Sequence, residues 1–495
     1  MNHHHHPLRS HSWKVLLGCG ALAVSTWAGC SFLFDDSLEG LPLQGDAIAP
    51  DRFPQLGTQP AREVYLMSDS DGLPWVALPE VAQPSLVFPQ PPQSETVRLF
   101  RLDAAAPLDG RAQKELRSHH NVITSHVVYL IEPPAGQAGD TGMTAEPTLV
   151  TAFSPGLTYS AQKFTLPSGA EYLLPSSSDA AFVWWTAKGA DRAIYLVRTD
   201  GSYLRKLPAP KGASIEQVRM FFDSSGDRLF VQDQDNVLTV YYSKTEQLLT
   251  LGKQPRVLIF APGQRVLLSC SDKGVKSLAI STATAMTLDD APCDPDIFRV
   301  QGADLYYKSG TQLRRVAHQG GTAPEVVLAG AEKEVGQLFT LSSQREPLYS
   351  LDGPLRFGSG IGDGWLGDWQ LMTRGRRPTF SSDGQKVYFL ENAARSDGGG
   401  ELTVGRIAER SLQTLARNVR NFQTLSDGRT LAIANAAFKG PQNRLIVLDE
   451  AAQSARWVVD SARDFVRIPG TDDLLVKIVV GQNGFDIRRV PIPLR

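Results

Sequence analysis

The string PTFSSDGQKVYFL, residues 378–390, contains the pattern that decides the fold. An aromatic residue, Phe380, precedes a polar turn that ends at Gly384, and an apolar run begins three residues after the glycine. Glycine adopts the positive φ of a tight turn without steric cost, and the side chain of Asp383 can bond the backbone of its own turn. The string therefore predicts two antiparallel strands joined by a short turn.

The same pattern recurs along the chain. Its other copies are MFFDSSGDRLFVQ from Met220, LIFAPGQRVLLS from Leu258, DIFRVQGADLYYK from Asp296, NFQTLSDGRTLAIA from Asn421 and DFVRIPGTDDLLVK from Asp464. The turn glycines are Gly226, Gly263, Gly302, Gly384, Gly428 and Gly470, at steps of 37, 39, 82, 44 and 42 residues. The doubled step contains LFTLSSQREPLYSL, residues 338–351, whose turn lacks glycine, and SSSDAAFVWW from Ser176 extends the series back to Asp179.

A period near 40 residues that is made of short strands and turns indicates an all-β propeller. One four-stranded antiparallel blade cannot cover both of its apolar faces, so blades stack around a central channel until the ring closes. Eight turns from Asp179 to Gly470 predict eight blades, with seven as the alternative. No long amphipathic helix with recognisable caps follows residue 35.

The unit at 378–420 resembles the TolB-type, WD40-like β-propeller repeat, which reads as an aromatic residue, Ser, any residue, Asp-Gly, two residues and an apolar strand. The resemblance covers about residues 176–495 and weakens away from this unit. It implies a blade and specifies no activity.

The chain divides into four segments. Residues 1–29 are predicted to be a signal peptide, 30–62 an acylated cysteine and flexible tether, 63–175 an irregular β region, and 176–495 the propeller. The last repeat has room for only three strands, so we expect a closing strand from upstream. The candidates are VRLFRL from Val97 and QKFTLP from Gln162, and 63–175 could instead form an extra blade.

The first thirty residues are ordered like a secretory signal. Arg9 and Lys14 precede an apolar run that ends in WAGC, residues 27–30. This ending resembles the lipobox of bacterial lipoproteins, although Trp27 replaces the usual leucine. The resemblance implies lipidation at Cys30, with Cys19 as a second candidate.

The lipid anchor has one alternative and one further implication. The stretch 15–34 has twenty residues without a charge and could instead remain as an uncleaved membrane anchor. Ser31 after the modified cysteine implies, by resemblance to Gram-negative lipoproteins, a location at the outer membrane, facing the periplasm or the cell surface.

Two further residue pairs are candidates for a specific role. Cys270 and Cys293 lie close together in the repeat and in a compartment that permits oxidation, which makes them a candidate disulfide. Trp365 and Trp369 lie in a glycine-rich stretch and are candidates for a binding loop. Its string GDGWLG satisfies GxGxxG but lacks the strand-to-helix crossover of a dinucleotide site.

The sequence contains no recognisable catalytic or metal-binding constellation. No GxSxG nucleophile motif is present. The histidines at 119, 120 and 126 fit no standard metal spacing, so no metal or other cofactor is predicted. With 50 basic and 52 acidic residues and a net charge of −2, the chain also has no electrostatic basis for binding nucleic acid.

These observations favour a non-enzymatic envelope lipoprotein whose propeller binds a protein, peptide or glycan. Two alternatives remain open at this point. One is a carbohydrate-active enzyme, a lyase or glycosidase, whose carboxylates converge only in the folded chain. The other is a purely structural subunit of an envelope complex.

Overall fold

The computed structural model describes residues 41–493 apart from several gaps. These are 45–47, 62, 70, 80–94, 103–113, 119, 133–146, 156–159, 169, 187–192, 212–216, 330–334, 342–346, 352–354, 358–368, 373–374, 392–398, 436–442 and 481–483. Within the described part, no helix has the length and apolar character needed to cross a bilayer. The predicted signal peptide and Cys30 lie outside it.

The described chain begins with a segment that runs along the last two repeats. It contains strand β1 (Leu43–Gln44), a 3-10 turn (Pro50–Arg52) and strand β2 (Gln55–Ala61). β1 pairs in parallel with a strand formed by Ser454–Val459, and β2 pairs antiparallel with one formed by Gly484–Pro491.

The next strands form seven separate four-stranded antiparallel sheets in chain order. They are β3–β6 (Tyr65–Ser68, Pro74–Pro79, Glu95–Arg101, Lys114–Ser118), β7–β10 (His120–Ile123, Val128–Glu132, Thr148–Ser154, Ser160–Leu166), β11–β14 (Ala170–Pro175, Ala181–Thr186, Ala193–Arg198, Leu204–Leu207), β15–β18 (Arg219–Phe222, Arg228–Gln232, Val237–Tyr242, Leu248–Lys253), β19–β22 (Val257–Phe260, Val266–Ser271, Gly274–Ala279, Thr284–Asp289), β23–β26 (Asp294–Gln301, Asp304–Ser309, Gln312–Ala317, Glu325–Ala329) and β27–β30 (Val335–Leu341, Pro347–Leu351, Leu355–Phe357, Trp369–Met372).

The remaining strands form an eight-stranded sheet and an eighth separate four-stranded sheet. The former contains β31–β37 (Gly375–Phe380, Lys386–Glu391, Gly400–Arg406, Ser411–Thr424, Thr430–Asn435, Asn443–Asp449, Ser454–Val459) and β1, and the latter contains β38–β40 (Ala462–Arg467, Asp473–Val480, Gly484–Pro491) and β2.

The eight-stranded sheet consists of two successive units that share β34. The first part of this 14-residue strand pairs with β33 and its second part with β35. The strand changes direction at Asn418, which has a φ of 56°. Gly399 is required beside it, because a Cβ at this position would lie 2.1 Å from the Asn418 carbonyl carbon.

The units form a closed β-propeller. The first strands of the sixth, seventh and eighth units contact one another in turn, which places first strands at the centre. In each of the other pairs of successive units, a buried apolar cluster joins the two sheets. The cluster of Leu56, Val76 and Leu475 joins the tenth unit to the first. Because each sheet lies between two others, second strands such as β12 are buried along their whole length.

The predicted fold class is confirmed: the chain is an all-β propeller that contains eight separate four-stranded antiparallel sheets. The eight turns counted from Asp179 to Gly470 each lie in one of the third to tenth units. Residues 65–166 contribute the first two units, and Ala170–Pro175 is the first strand of the third.

Two details of the sequence prediction are wrong. The closing strand is β2, whereas the candidates from Val97 and Gln162 lie in strands within the first and second units. Accordingly, the predicted tether does not extend to residue 62. Pro60 obscured this strand in the sequence, yet proline is tolerated here because β2 lies at the edge of its sheet and need not donate there.

Cys270 and Cys293 form a disulfide whose Cα atoms are 5.3 Å apart. Cys270 belongs to β20, and Cys293 precedes β23, so the bond links the fifth unit to the sixth. Both side chains are buried within the cluster between these units.

Reduction of this disulfide is expected to lower the stability of the ring. A closed loop with a sequence separation of 23 is expected to contribute about 3 kcal/mol. The thermal midpoint should fall when reductant is added to the wild type. The Cys270→Ser, Cys293→Ser double variant should have a lower thermal midpoint than the oxidised wild type, and reductant should not change it. Equal midpoints for all samples would contradict the prediction.

Candidate functional site at the channel mouth

The strand directions define two ends of the ring. We call the end where the first strands begin the mouth and the opposite end the base. At the base, turns of neighbouring units bond to each other: Arg228 Nη2 donates to the carbonyl oxygen of Gln264 at 2.7 Å, and Arg198 Nη1 donates to Asp227 Oδ1 at 3.2 Å. Polar groups at the base therefore hold the units together.

Asp179 belongs to this bonding at the base. Its side chain is 4% exposed, and Oδ2 accepts a hydrogen bond from the backbone N–H of His126 in the second unit at 3.2 Å. Oδ1 is buried without a partner among the described residues. Burial outweighs the hydrogen bonds from Thr124 and His126 and raises the pKa of Asp179 from 3.8 to about 6.

Asp179→Asn is expected to stabilise the protein at neutral pH. The folded pKa exceeds the unfolded one, so folding of the ionised wild type is penalised increasingly as the pH rises toward about 6. A shift of this size corresponds to up to about 3 kcal/mol. Asparagine also tolerates the positive φ of this position.

The measurement is the thermal midpoint at pH 4 and pH 7.5. The gain should be present at pH 7.5 and small at pH 4. Asp200→Asn is the control, because this carboxyl group is exposed and its pKa is lowered by hydrogen bonds from Ser202. A gain for Asp179→Asn that is equal at both pH values would refute the account.

At the mouth, two arginines of neighbouring units lie together. Arg219 is the first residue of β15, and Arg256 directly precedes β19. Arg219 Nη1 donates to the carbonyl oxygen of Arg256, and its guanidinium carbon lies 5.0 Å from the centroid of the Phe221 ring. Both arginines are exposed. This geometry orients the Arg219 guanidinium beside the start of the next unit.

A buried glutamine, Gln232, holds the loop that carries Arg256 by hydrogen bonds to its backbone. Gln232 is 1% exposed, and its Nε2 donates to the carbonyl oxygens of Gln254 at 2.8 Å and Pro255 at 3.2 Å. The loop also bonds to the one before β17, since Gln254 N donates to the carbonyl oxygen of Asn236 at 2.9 Å. Arg256 Nε in turn donates to Asn236 Oδ1 at 3.4 Å. Arg256 is therefore held by two loops.

The positive charges of Arg219 and Arg256 are not neutralised by a described carboxylate. Burial and the positive charge of Arg256 lower the pKa of the Arg219 guanidinium. No carboxylate among the described residues pairs with either arginine, and nearby Asp235 pairs with Lys211 at 3.1 Å. Two guanidiniums with free donors can bind carboxylate or phosphate oxygens. They provide neither a nucleophile nor a proton-transferring pair.

The tenth unit presents another exposed arginine at the mouth. Arg463 is the second residue of β38, and none of the described residues bonds to it. Arg467 at the base end of the same strand pairs with Asp472 at 3.4 Å. One strand thus carries an unpaired arginine at the mouth and a paired one at the base.

The predicted tryptophan loop lies for the most part outside the described residues. Trp365 lies outside the described residues. Trp369 was predicted in a loop, but it begins strand β30, paired with Phe357, because the outermost strand of the seventh unit starts there. The connection 358–368 lies outside the described residues.

The histidines at 119, 120 and 126 do not form a described metal site. His119 lies outside the described residues, His120 is buried in β7, and His126 Nδ1 lies 3.2 Å from the carbonyl oxygen of Ser68. Among the described histidines, cysteines and carboxylates, no three side chains lie close enough together to hold a metal ion.

Sequence reasoning missed Arg219, Arg256 and Arg463. An arginine at the start of a strand belongs to no spacing motif and reads as an ordinary solvated residue. The available signal is positional, because alignment of the repeats on their turns places all three within two residues of the start of a first strand.

Comparisons with known proteins assign neither a family nor a function to the chain. No protein-family model matches the chain, and no curated protein matches it. Among solved structures, "Crystal structure of the eukaryotic initiation factor" is 13% identical, with a TM-score of 0.42, over 69% of this chain and 91% of that one.

Two further structures are similar at the same level. "Dihydro-heme d1 dehydrogenase NirN in complex with DHE" is 11% identical, with a TM-score of 0.34, over 75% of this chain and 78% of that one. "Oligogalacturonate lyase in complex with manganese" is 9% identical, with a TM-score of 0.28, over 74% and 97%. The propeller assignment rests on the chain's own strand pairing.

Proposed function

We propose that this chain is a non-enzymatic lipoprotein of the cell envelope, anchored through Cys30, whose propeller binds a protein, peptide or glycan partner at the channel mouth. The observation that carries the proposal is that Arg219, Arg256 and Arg463 are exposed at the mouth and pair with no described carboxylate. At the base, Arg198, Arg228 and Arg467 are bonded to neighbouring groups. At the mouth, exposed Arg417 pairs with Glu401 at 3.3 Å, whereas Arg219, Arg256 and Arg463 pair with no described carboxylate.

Free arginines on a rigid scaffold suit recognition of another molecule. Arginine is enriched at interfaces, where its planar group forms several directed hydrogen bonds. Here it stands on strands held by buried apolar clusters on both sides. Little ordering of the backbone is therefore required when a partner binds, which preserves affinity.

The binding surface can be tested with two charge reversals on one strand. Arg463→Glu at the mouth is expected to abolish cross-linking of the anchored protein to its partner in intact envelopes. Arg467→Glu at the base is the matched control, with the same charge change on the same strand. Equal cross-linking in both variants would place the binding surface elsewhere.

The anchor can be tested independently of the partner. Cys30→Ala is expected to abolish incorporation of labelled fatty acid and to move the protein from the membrane to the soluble fraction. Cys19→Ala serves as the control and should remain acylated and membrane-bound. Acylation that survives Cys30→Ala would refute the proposed anchor.

A further inference from the structure

We propose that Arg219 and Arg256 form a receptor for a doubly charged oxyanion, specifically a phosphate monoester group on the partner. This inference rests on the proposed function and deepens it by naming the chemical group that the mouth recognises between the fourth and fifth units.

Both arginines are held in place by neighbouring groups. Arg219 is fixed by its bond to the Arg256 carbonyl oxygen and by the Phe221 ring. That ring is itself stacked on Phe230 with a centroid distance of 5.0 Å, so the surface under Arg219 is rigid. Arg256 is fixed by Asn236. The two guanidiniums are thus held in place before a ligand arrives, which lowers the entropic cost of binding.

Both guanidiniums keep hydrogen-bond donors that the described structure does not use. A guanidinium has five N–H donors, and the described structure uses one of Arg219 and one of Arg256. The remaining donors can bind oxygen atoms in the bidentate manner that arginine forms with phosphate and carboxylate. The pair has an unused donor set of the kind that an oxyanion requires.

The two adjacent positive charges favour a ligand with more than one negative charge. The positive charge of Arg256 acts unfavourably on Arg219, and no described carboxylate offsets it. A single carboxylate would neutralise only one of the two charges. A phosphate monoester carries close to two negative charges at neutral pH, because its second pKa is near 6. Two adjacent arginines therefore favour phosphate over an isolated carboxylate.

The test is calorimetric titration of the full mature chain with inorganic phosphate at low ionic strength. Wild type is expected to bind, and Arg219→Ala and Arg256→Ala should each weaken binding about ten-fold or more, the effect of losing one charged hydrogen-bonding partner. Arg219→Lys should give an intermediate loss, since it keeps the charge and loses the planar fork. Acetate at the same ionic strength should bind at least about ten-fold more weakly than phosphate.

Lys276→Ala is the matched control, because it removes an exposed positive charge from the third strand of the fifth unit. It should leave phosphate binding unchanged, and circular dichroism should show that all variants are folded. The inference is overturned if wild type does not bind phosphate, if acetate binds equally well, or if the alanine variants at 219 and 256 bind like wild type. The proposed function is tested separately by Arg463→Glu. If this variant loses partner cross-linking, the proposed function stands even when the phosphate site is overturned.

Discussion

Removal of residues 41–61 is expected to prevent the chain from forming a stable ring. These residues contribute the fourth strand of the tenth unit and fill two interfaces between units. Leu56 is 1% exposed in the cluster that joins the tenth unit to the first, and Leu41 is 2% exposed in the cluster between the eighth and ninth. Without the segment, the edge of β40 and part of both clusters would be exposed to water.

A single substitution measures the same effect in a chain that still folds. Leu56→Ala is expected to lower the free energy of unfolding by about 2–5 kcal/mol, the range for a buried leucine that leaves a cavity. Ile48→Ala is the matched control from the same segment, because its side chain is 41% exposed. It should change stability by no more than about 0.5 kcal/mol.

Thermal midpoints at a fixed scan rate give the comparison, since a chain of this size can unfold irreversibly. The expected order is wild type and Ile48→Ala together, Leu56→Ala below them, and the 41–61 deletion without a cooperative transition. A deletion variant that melts like wild type would show that the N-terminal segment does not close the ring.

Glu450→Ala is expected to have the second largest effect. The Glu450 side chain is 7% exposed and accepts hydrogen bonds from Lys386 Nζ at 2.9 Å and Arg406 Nη2 at 2.6 Å. Lys386 and Arg406 belong to the eighth unit, whereas Glu450 follows β36, the third strand of the ninth unit. Removing the carboxylate leaves two cations in a partly buried interface without a partner of opposite charge, which typically costs about 3–5 kcal/mol.

The pH dependence of the wild type gives an independent check. Burial raises the pKa of Glu450, whereas the hydrogen bonds from Lys386 and Arg406 lower it. The second effect is larger, so the pKa lies below the usual 4.5. Its stabilising contribution is therefore complete at neutral pH and is lost as the pH falls below that value. The stability difference between wild type and Glu450→Ala should shrink as the solution is acidified.

Glu409→Ala is the control for this prediction, because Glu409 is exposed and bonds only to Ser411 among the described residues. Urea midpoints at pH 7 and pH 3.5 provide the measurement. A Glu450→Ala protein with the wild-type midpoint at pH 7 would mean that the ion cluster contributes nothing net to holding the two units together.

The sequence predicts the repeat well because turn chemistry is local. The positive φ of Gly226, Gly384 and Gly428 is a requirement of the turn between the first two strands of their units. The second unit escaped notice because its turn is built without glycine. There, the Thr124 hydroxyl group accepts a hydrogen bond from Val127 N at 3.0 Å and replaces the usual signal.

The closing strand and the site could not be predicted for a different reason. Both depend on contacts between residues that are distant in sequence. Gln55 bonds to Asp486, and Arg219 meets Arg256 only because two first strands lie side by side. The disulfide was accessible to sequence reasoning because the chain contains few cysteines, and 270 and 293 are close along it.

The bond between Gln55 and Asp486, at a sequence separation of 431, also has a kinetic consequence. A ring whose last sheet is completed by β2, from the N-terminal part of the chain, stays open until the last hairpin has been synthesised. Bringing such distant segments together costs loop-closure entropy before any contact repays it, which slows the final folding step. During that interval the terminal edges are exposed to aggregation and proteolysis, so we expect maturation to depend on protection by chaperones in the compartment where the chain folds.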